Sequence, residues 1–403
     1  MKNNNQWRKA YYVLLVIILI YLFQPKGGTW AFLLNIRWLY VLMLSFVFAQ
    51  LLTPISIGIA WKFGILDYPN EARKIHKAPI PRIGGLAVFL SIMFTCMRNL
   101  KFDPALTGLL VGSSLIYILG FIDDINPLSA VSRILVQIVA CVILITNGIF
   151  ITAIPNTIPF HLPINYILTV LWLIGMANAL NFLDGVDGLC AGLAALCAGL
   201  FFLIALPTHQ KFLVYLTIAI AGSCLGFITY NWKPASVYLG DAGATFLGFL
   251  LAGTAIMGTW AEGNPVVALS TPLLILGIPI FDMIYTTISR IHNGQVKSFI
   301  QWLEYAGRDH FHHRLMHLGL KDVQTVIFIL FINLCIGLGA LVLREAGTKG
   351  SLLLLLQSTV IFLIITILML LGKERTNEKT DKIFGLLRDT YKNGSLTNEM
   401  EKK

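Results

Sequence analysis

The sequence predicts an all-α protein, a polytopic integral membrane bundle of about twelve membrane-spanning helices. Two observations lead to this fold class. The 403 residues are 57% hydrophobic and only 12% charged, whereas a soluble domain carries about 25% charged residues. Apolar runs long enough to cross a bilayer, which takes about 20 residues, recur along the whole chain. No soluble domain of any size separates them.

Each predicted span is defined by its apolar centre. The twelve segments are 10–23, 36–60, 83–98, 105–122, 131–150, 164–182, 188–206, 212–230, 243–261, 267–288, 324–343 and 351–371. We divide the chain into an N-terminal anchor (1–35), a membrane domain (36–372) and a charged tail (373–403), which we expect to be a frayed helix. No internal repeat is evident.

The first span is also open to interpretation as a cleaved signal peptide. Lys2, Arg8 and Lys9 precede its short apolar centre, as in secretory signals. The segment that follows, Gln24-Pro25-Lys26, does not contain the small-x-small pattern of a cleavage site. We therefore favour a retained signal anchor, which is one span more than the eleven that the rest of the chain supplies.

The distribution of charge predicts the orientation. With twelve spans, 23 of the 30 Lys and Arg residues lie at the termini and in the loops on the same side as the termini. Cytoplasmic loops carry the excess of positive charge in membrane proteins, so both termini are expected in the cytosol. The net charge of +10 is thereby explained by topology and requires no nucleic-acid partner.

The six cysteines give no sign of a disulfide framework or a zinc site. They lie singly in apolar segments, at positions 96, 141, 190, 197, 224 and 335, with no Cys-x-x-Cys spacing. Such cysteines behave as small buried hydrophobic residues.

Ionisable groups are concentrated on the predicted cytosolic side. They are Asp123, Asp124, Asp184, Asp187, Asp241, His310, His312 and His313, together with Lys77 and Arg82. Charged groups close to lipid are costly and are retained mostly for function. A solvated loop charge explains a single carboxylate, but it does not explain a one-sided cluster, which predicts a functional site.

Two acidic motifs follow apolar spans. Asp123 and Asp124 are adjacent, and adjacent helical residues point to different faces; one carboxylate is expected to face a metal or substrate while the other positions a neighbour. Asn181, Asp184 and Asp187 are three residues apart and share a face if the stretch is helical. A glycine-rich turn capped by aspartates is the alternative for this stretch.

A third acid, Asp241, lies in a Leu-Gly-Asp-Ala-Gly turn just before a span. Mg²⁺ takes one or two protein carboxylates and completes its shell with phosphate oxygens and water. That chemistry suits a nucleotide diphosphate better than a closed cage of protein ligands.

The densest polar segment is Arg308-Asp309-His310-Phe311-His312-His313-Arg314. A His-x-His-His run is compatible with zinc, but no cysteine is near it and an arginine stands on each side. Arginine and histidine suit the charge on transferring phosphoryl oxygens, so we favour phosphate contact. The remaining histidines are isolated and are interpreted as loop or interfacial residues.

Six motifs carry a resemblance to a known family. In order they are HKAPIPRIGG from His76, FIDDINPLSAVSRILVQ from Phe121, NFLDGVDGLCAG from Asn181, NWKPASVYLGDAGATFLG from Asn231, PIFDMIYTTISR from Pro279 and RDHFHHRL from Arg308. Over residues 36–343 the chain resembles the polyprenyl-phosphate N-acetylhexosamine-1-phosphate transferases of the WecA, TagO and MraY type.

The resemblance implies a reaction in which the phosphate of undecaprenyl phosphate attacks the β-phosphate of a UDP-sugar and UMP leaves. Metal, positioning and positive charge supply most of the catalysis of phosphoryl transfer. Asp241 is implied to bind Mg²⁺, with Mn²⁺ as the alternative ion. Asp123 is implied to act as a base or to orient the lipid phosphate, with support from Asp124, and Lys77 is implied to lie near the phosphates.

The same resemblance implies the substrate contacts. Those to the nucleotide are Asn181, Asp184, Asp187 and Asn231, with Tyr238 stacking on uracil; those to the diphosphate and sugar are His310, His312, His313 and Arg308. Two positions depart from the family. Asp309 follows Arg308 where relatives often place an aspartate before the arginine, and Asn126-Pro127 stands where some carry a third carboxylate.

The His-x-His-His pattern resembles the WecA and TagO branch, which favours UDP-N-acetylglucosamine or a close N-acetylhexosamine as donor. The MraY branch, with three successive histidines and a UDP-muramoyl-peptide donor, is the alternative within the family. A transporter is the alternative of another class, although transporters place their sites midway and often contain repeats. We expect a bacterial cytoplasmic membrane enzyme with its site on the cytosolic face. The glycan pathway and a homodimer are left open.

Overall fold

The computed structural model describes residues 2–23, 28–69, 78–261, 264–298, 301, 307 and 309–397, and these are almost entirely helical. The helices are α1 (Lys2–Phe23), α2 (Thr29–Leu33), α3 (Arg37–Phe63), α4 (Gly85–Asn99), α5 (Pro104–Ile125), α6 (Ala130–Thr146), α7 (His161–Phe182), α8 (Leu189–Ala205), α9 (Lys211–Asn231), α10 (Gly240–Met257), α11 (Pro265–Ile275), α12 (Gly277–His292), α13 (Phe311–His317) and α14 (Asp322–Thr397).

The predicted fold class, a polytopic helical membrane protein, is confirmed. Within the described residues, seven helical stretches are long and apolar enough to cross a membrane, and the bent pair α11 and α12 is an eighth if it forms one span. Helices also cover the other predicted segments, but α4, α6, α8 and the apolar part of α1 have at most 17 residues. The count of twelve spans therefore stays a prediction.

The predicted continuous span 267–288 is wrong in one respect, because the helix breaks at Leu276. Helices α11 and α12 meet there at 78°. Asn333 of α14, which is fully buried, accepts from the N–H of Ile278 (3.3 Å) and donates to the carbonyl of Ile275 (3.1 Å). The backbone groups freed by the break thus find a partner without water, as a membrane interior requires.

The last two predicted spans are the two arms of α14, which bends at Gly347 (φ 63°, ψ −166°). The second arm, Gly347–Leu370, lies at the periphery, since only 17% of its apolar window is buried. Helix α10 is the opposite extreme at 83%, and it packs against α5, α7, α4 and α8. The core of the bundle therefore surrounds α10.

Helices α5 and α10 nearly touch at one point. A Cβ on Gly120 would lie 2.5 Å from the Cα of Ala242, so only glycine permits this approach. Because Gly120 is one turn before Asp123 and Asp124, the contact brings the predicted acidic pair to the N-terminal end of α10.

Helix α1, which lies outside the family resemblance, is joined to the bundle by hydrogen bonds between helices. Tyr11 donates to Gln50 of α3 at 3.1 Å, and the hydroxyl of Tyr12 lies 2.9 Å from that of Tyr230 on α9. Gln50 in turn donates to Gly226 and Thr229. These bonds couple α1, α3 and α9 inside an otherwise apolar layer.

Two smaller features complete the fold. A two-residue strand pair, β1 (Leu66–Asp67) and β2 (Ile80–Pro81), is antiparallel and was not predicted. The cysteines are free, as predicted, and five of them are buried; Cys335 is exposed, against the prediction.

Candidate active site

The carboxylate of Asp124 closes the N-terminal end of α10. It is 5% exposed and accepts from the backbone N–H groups of Asp241 (3.3 Å) and Ala242 (3.1 Å). Arg82 donates to it at 2.8 Å. The first N–H groups of a helix have no partner within the helix, and a negative charge matches the positive end of the helix dipole. Asp124 therefore holds α10 in place, and its oxygens are committed to that task.

Gly240 makes this closure possible. Its φ of +78° is in the left-handed region that L side chains rarely adopt. A Cβ at this position would collide with the backbone oxygen of Arg82 and would lie 2.8 Å from a carboxylate oxygen of Asp124. Segments 80–85 and 237–240 are also joined directly by backbone hydrogen bonds, including Gly84 to Tyr238 (2.9 Å).

Asp123 and Asp241 face a common cavity of about 570 Å³ that is open to solvent. It lies where α5 and α7 end and where α6 and α10 begin. The other residues around it are Ile116, Leu119, Gly120, Ala130, Arg133, Ile134, Gln137, Asn178, Asn181, Phe182 and Thr245. Carboxylates, amides and an arginine share this cavity with aliphatic side chains, so it suits a ligand with a charged head and an apolar body.

The two adjacent aspartates face different neighbours, as the sequence predicted. Asp123 accepts from the N–H of Leu128 at 2.6 Å and from Arg133 at 3.2 Å. Asp124 faces α10 instead. Arg133 thus brings a positive charge to a cavity wall that holds two carboxylates.

The stretch after α7 is a turn, so the prediction of a shared helical face for Asn181, Asp184 and Asp187 is wrong. Residues 183–188 are non-helical, and Gly188 has a φ of +81°. Asn181 lines the cavity, whereas Asp184 faces the N–H of Gly240. The glycine-rich turn, the alternative interpretation, is the one observed.

Asp184 belongs to the same acidic group as Asp241. Burial raises the pKa of its carboxyl well above the usual range, and the nearby charges of Asp241 and Asp124 raise it further. Three carboxylates therefore crowd the N-terminal end of α10 and destabilise one another. Such a group attracts a cation or shares a proton.

Asp187 and Asn231 brace the backbone near the site. Asp187 accepts from the N–H of Ala235 at 3.0 Å and pairs with Lys233 at 3.4 Å. The amide of Asn231, which is 3% exposed, accepts from Gly188 and donates to a backbone carbonyl, both at 2.9 Å. Asn231 was predicted to line a nucleotide pocket; its amide is instead committed to joining two loops.

His310 is enclosed by protein. It is 6% exposed; its Nδ1 lies 2.9 Å from Asp282 and its Nε2 lies 3.1 Å from Arg290. Its ring stacks on Phe182 with centroids 4.8 Å apart. With both nitrogens engaged, His310 has no group left for the predicted contact with a sugar diphosphate.

His312 and His313 differ from His310. His312 is 1% exposed, has no hydrogen-bond partner on either nitrogen and lies against Gly185, whose added Cβ would be 2.7 Å from its Nε2. Burial lowers the pKa of the His312 imidazole well below its usual range, and His313 and His310 contribute to the shift. His313 is half-buried, with its ring 4.2 Å from that of His312. The second half of the motif therefore lies at the 183–188 turn, where both ring nitrogens of His312 are buried without a hydrogen-bond partner.

Three further predicted residues complete the survey. Tyr238 is half-buried beside the site; burial, with the charges of Asp187, Asp67 and Asp184, raises the pKa of its phenol. Lys77 and Arg308 lie outside the described residues.

Sequence reasoning missed several residues that the structure brings to the site. Arg133 and Asn178 line the cavity, and Asp282 and Arg290 hold the histidine motif. Arg133 lies 10 residues after Asp123 in the same quoted motif, Phe121 to Gln137. That motif was the sequence signal that could have identified it. Asp282 and Arg290 lie in the quoted motif from Pro279 to Arg290, which was the available signal, but only the fold shows that they contact His310.

The donors at the cavity fit Mg²⁺. Among the described residues, no group of three or more His, Cys, Asp or Glu side chains is placed to hold a metal by itself. Asp123 and Asp241 supply carboxylate oxygens at one cavity, and Asn178 and Asn181 supply amide oxygens. Mg²⁺ is bound by one or two carboxylates plus water and phosphate, so this oxygen-rich, incomplete set suits it better than zinc.

A multi-pass helical bundle with an acidic, open cavity at one end of its most buried helix defines an integral membrane enzyme acting on a polar ligand. Comparisons with known proteins give the particular family. Residues 106–259 match glycosyl transferase family 4. The probable undecaprenyl-phosphate N-acetylglucosaminyl 1-phosphate transferase of Bacillus subtilis (strain 168) is 32% identical over 343 residues, which are 84% of this chain and 92% of that protein.

More distant relatives agree. The decaprenyl-phosphate N-acetylglucosaminephosphotransferase of Mycobacterium tuberculosis (strain ATCC 25618 / H37Rv) is 30% identical over 304 residues, covering 67% of this chain and 74% of the relative. The phospho-N-acetylmuramoyl-pentapeptide-transferase of Clostridium botulinum (strain Eklund 17B / Type B) is 30% identical over 337 residues, covering 77% and 98%. The chain belongs to glycosyl transferase family 4 and is an enzyme of the glycosyl-1-phosphate transferase class.

Proposed function

We propose that the protein transfers N-acetylglucosamine-1-phosphate from UDP-N-acetylglucosamine to undecaprenyl phosphate and releases UMP, as the first membrane step of a cell-surface glycan. The observation that carries the proposal is the single cavity in which Asp123, Asp241 and Arg133 meet aliphatic side chains. The named activity of the Bacillus subtilis relative, which this chain covers almost completely, supports the choice of substrates.

In this reaction an oxygen of the lipid phosphate attacks the β-phosphorus of the UDP-sugar. The bond from that phosphorus to the bridging oxygen breaks, and UMP carries that oxygen away. Asp241, with Asp123 close by, is the group that would hold Mg²⁺, which neutralises charge on the diphosphate when it is bound. Asp123 orients the lipid phosphate or accepts its proton, and Arg133 balances charge on the same wall.

The residues around this cavity supply positioning rather than covalent chemistry. Asp124 and Gly240 fix the first turn of α10, so that Asp241 points at the cavity from a rigid helix. Phosphoryl transfer depends mainly on such positioning and on electrostatic stabilisation, which fits a site built from helix ends.

The donor sugar is tested by measuring UMP release from purified protein with undecaprenyl phosphate. UDP-N-acetylglucosamine and UDP-muramoyl-pentapeptide are supplied separately at equal concentration. We expect release with the first donor and not with the second, because the His-x-His-His pattern of residues 310–313 resembles the N-acetylglucosaminyl branch of the family. A faster reaction with the muramoyl-peptide would place the protein in the other branch of the family.

We also propose that the site faces the cytosol of a bacterial inner membrane. The support is the excess of Lys and Arg on the side of the termini. In a cysteine-free background, an impermeant thiol reagent should label a cysteine placed at Gly350 from outside and one placed at Asn377 only after permeabilisation. The reverse pattern would overturn this orientation.

A further inference from the structure

A closed polar cluster lies between α12 and the start of α13, beside the cavity. Arg290 is fully buried and donates to both carboxylate oxygens of Asp309, at 2.7 and 2.8 Å. Asp282 is also fully buried and lies next to His310. Carboxylates and arginine are almost never fully buried unless they are paired, so the partners of each group in this cluster are informative about its role.

Asp282 accepts two hydrogen bonds from the histidine motif. One oxygen accepts from the backbone N–H of Phe311 at 2.6 Å, and the other lies 2.9 Å from Nδ1 of His310. The first bond satisfies an N–H in the first turn of α13, which otherwise has no partner within the helix. A carboxylate can accept both bonds at once, whereas an amide has a single acceptor oxygen.

The same contacts fix the state of the His310 ring. Arg290 can only donate, so Nε2 of His310, 3.1 Å from its Nη2, must accept. Nδ1 must then carry the proton and donate it to Asp282. The ring is therefore neutral, protonated at Nδ1, and both nitrogens are occupied by the protein.

We propose that Asp282 is a positioning residue for the transfer reaction. It acts through His310, which does not touch the substrate. The inference rests on the proposed function for its kinetic consequence, although the state of the ring does not depend on it. Asp282 aligns His310, which stacks on Phe182 at the wall of the cavity.

Asp282 also sets the direction of α13. Through Phe311 it holds the first turn of the helix that carries His312 and His313, and it thereby keeps His312 against Gly185 of the acidic turn. The helix that carries these two histidines is thus placed by a carboxylate that does not line the cavity.

The first experiment determines directly which nitrogen of the His310 ring carries the proton. Magic-angle-spinning NMR of protein labelled with ¹⁵N-histidine, at pH 8 and without substrate, distinguishes the two neutral forms, and His310→Gln identifies the signal by its loss. We expect Nδ1 protonated and Nε2 bare in the wild-type protein. A ring protonated at Nε2, or at both nitrogens, would overturn the assignment whether or not the proposed reaction is correct.

Asp282→Asn tests the consequence. The amide can accept from Phe311 or from His310 but not from both, so the variant should lower kcat by about 10- to 100-fold, as when the partner that orients a functional histidine is lost. The KM for undecaprenyl phosphate should change little, and the NMR signal of His310 should change form.

Asp103→Asn is the matched control, because Asp103 only caps α5 and asparagine caps equally well. It should keep wild-type turnover. Wild-type kcat in Asp282→Asn would refute the positioning role, as would a loss confined to KM. If Asp282→Asn does not fold, the spectrum of the wild-type protein still decides the question.

Discussion

Two acidic clusters lie near Phe182, and they differ in how open they are to solvent. At the end of α10, Asp123 and Asp241 line an open cavity, and burial, with the charges of Asp241 and Asp124, raises the pKa of the adjacent Asp184 carboxyl.

Between α12 and α13, the carboxylates of Asp282 and Asp309 are each matched by a donor, and the cluster is closed. Arg290 holds the pKa of Asp309 below its usual value despite the burial of that carboxyl. We propose that the open cluster binds a cation and phosphates, whereas the closed one holds α12 and α13 together. Access to solvent, more than the density of polar residues, therefore separates the two clusters.

The sharpest test of the open cluster is Asp241→Asn. Loss of a metal ligand should lower UMP release by about a thousandfold or more, equivalent to about 4 kcal/mol. Stability should change by less than about 1 kcal/mol, because relief of repulsion offsets the lost interaction with the helix dipole. UMP release and the midpoint of thermal unfolding in detergent are measured together, with Asp103→Asn as control. Near-normal turnover would remove Asp241 from the metal site.

The closed cluster should respond in the opposite way to Asp309→Asn. The substitution leaves the guanidinium of Arg290 buried without its charge partner, which destabilises a protein by about 3–5 kcal/mol. Thermal unfolding should show the loss. Asp322→Asn is the matched control, since its partner Lys233 is 39% exposed, and exposed pairs contribute about 1 kcal/mol or less. Equal losses of stability in Asp309→Asn and Asp322→Asn would show that the buried pair is no more important for stability than the exposed one.

Gly240→Ala tests whether the frame of the open cluster depends on its backbone. Gly148→Ala is the control, because Gly148 also has a positive φ (+84°) but open space around it. The control should lose only the roughly 1–2 kcal/mol of left-handed strain. Gly240→Ala should lose more, since its Cβ meets Arg82 and Asp124, and turnover should fall with stability. Similar unfolding midpoints would show that the contact can relax freely.

The smallest expected effect is a pH dependence from His312. Its folded pKa lies below the unfolded value of about 6.5, so below that pH the unfolded chain binds a proton that the folded chain does not. Stability is therefore complete above pH 6.5 and falls by at most about 1.4 kcal/mol per pH unit as the pH is lowered. His312→Gln should flatten the profile of unfolding midpoints between pH 6.5 and 5. The control variant His161→Gln, at the first residue of α7, should keep the wild-type slope, and an unchanged slope in His312→Gln would contradict the shift.

The fold class could be predicted because it depends on local patterns. Hydropathy marks helices one at a time, and the glycine at position 120 lies one turn before the acids that it helps to place. The break at Leu276 could not be predicted, because it is stabilised by Asn333, which is distant in sequence. The strand pair at residue 66 likewise depends on a partner segment and not on its own two residues.

The hydrogen-bond partners of individual polar residues could not be predicted from residue type. His310 and Asn231 have side chains suited to a substrate, yet each is saturated by protein partners. Residue type determines which hydrogen bonds a side chain can form. Only its neighbours in the folded structure show which of these bonds the protein itself already makes. Arg133 is the opposite case: it lies at the cavity, but its residue type did not distinguish it from the other Lys and Arg residues that indicate membrane orientation.

The hydrogen bonds of α1 bear on how the chain is made. Gln50 finds its partner Gly226 only 176 residues later, which takes about 9–35 s of synthesis at 5–20 residues per second. During that interval the side-chain amide of Gln50 could form a hydrogen bond with a non-native partner in the membrane. Tyr11, already inserted, can hold the oxygen of Gln50 from the moment α3 enters the bilayer. Helix α1 therefore supplies a hydrogen-bond partner for Gln50 that precedes α9 in the chain.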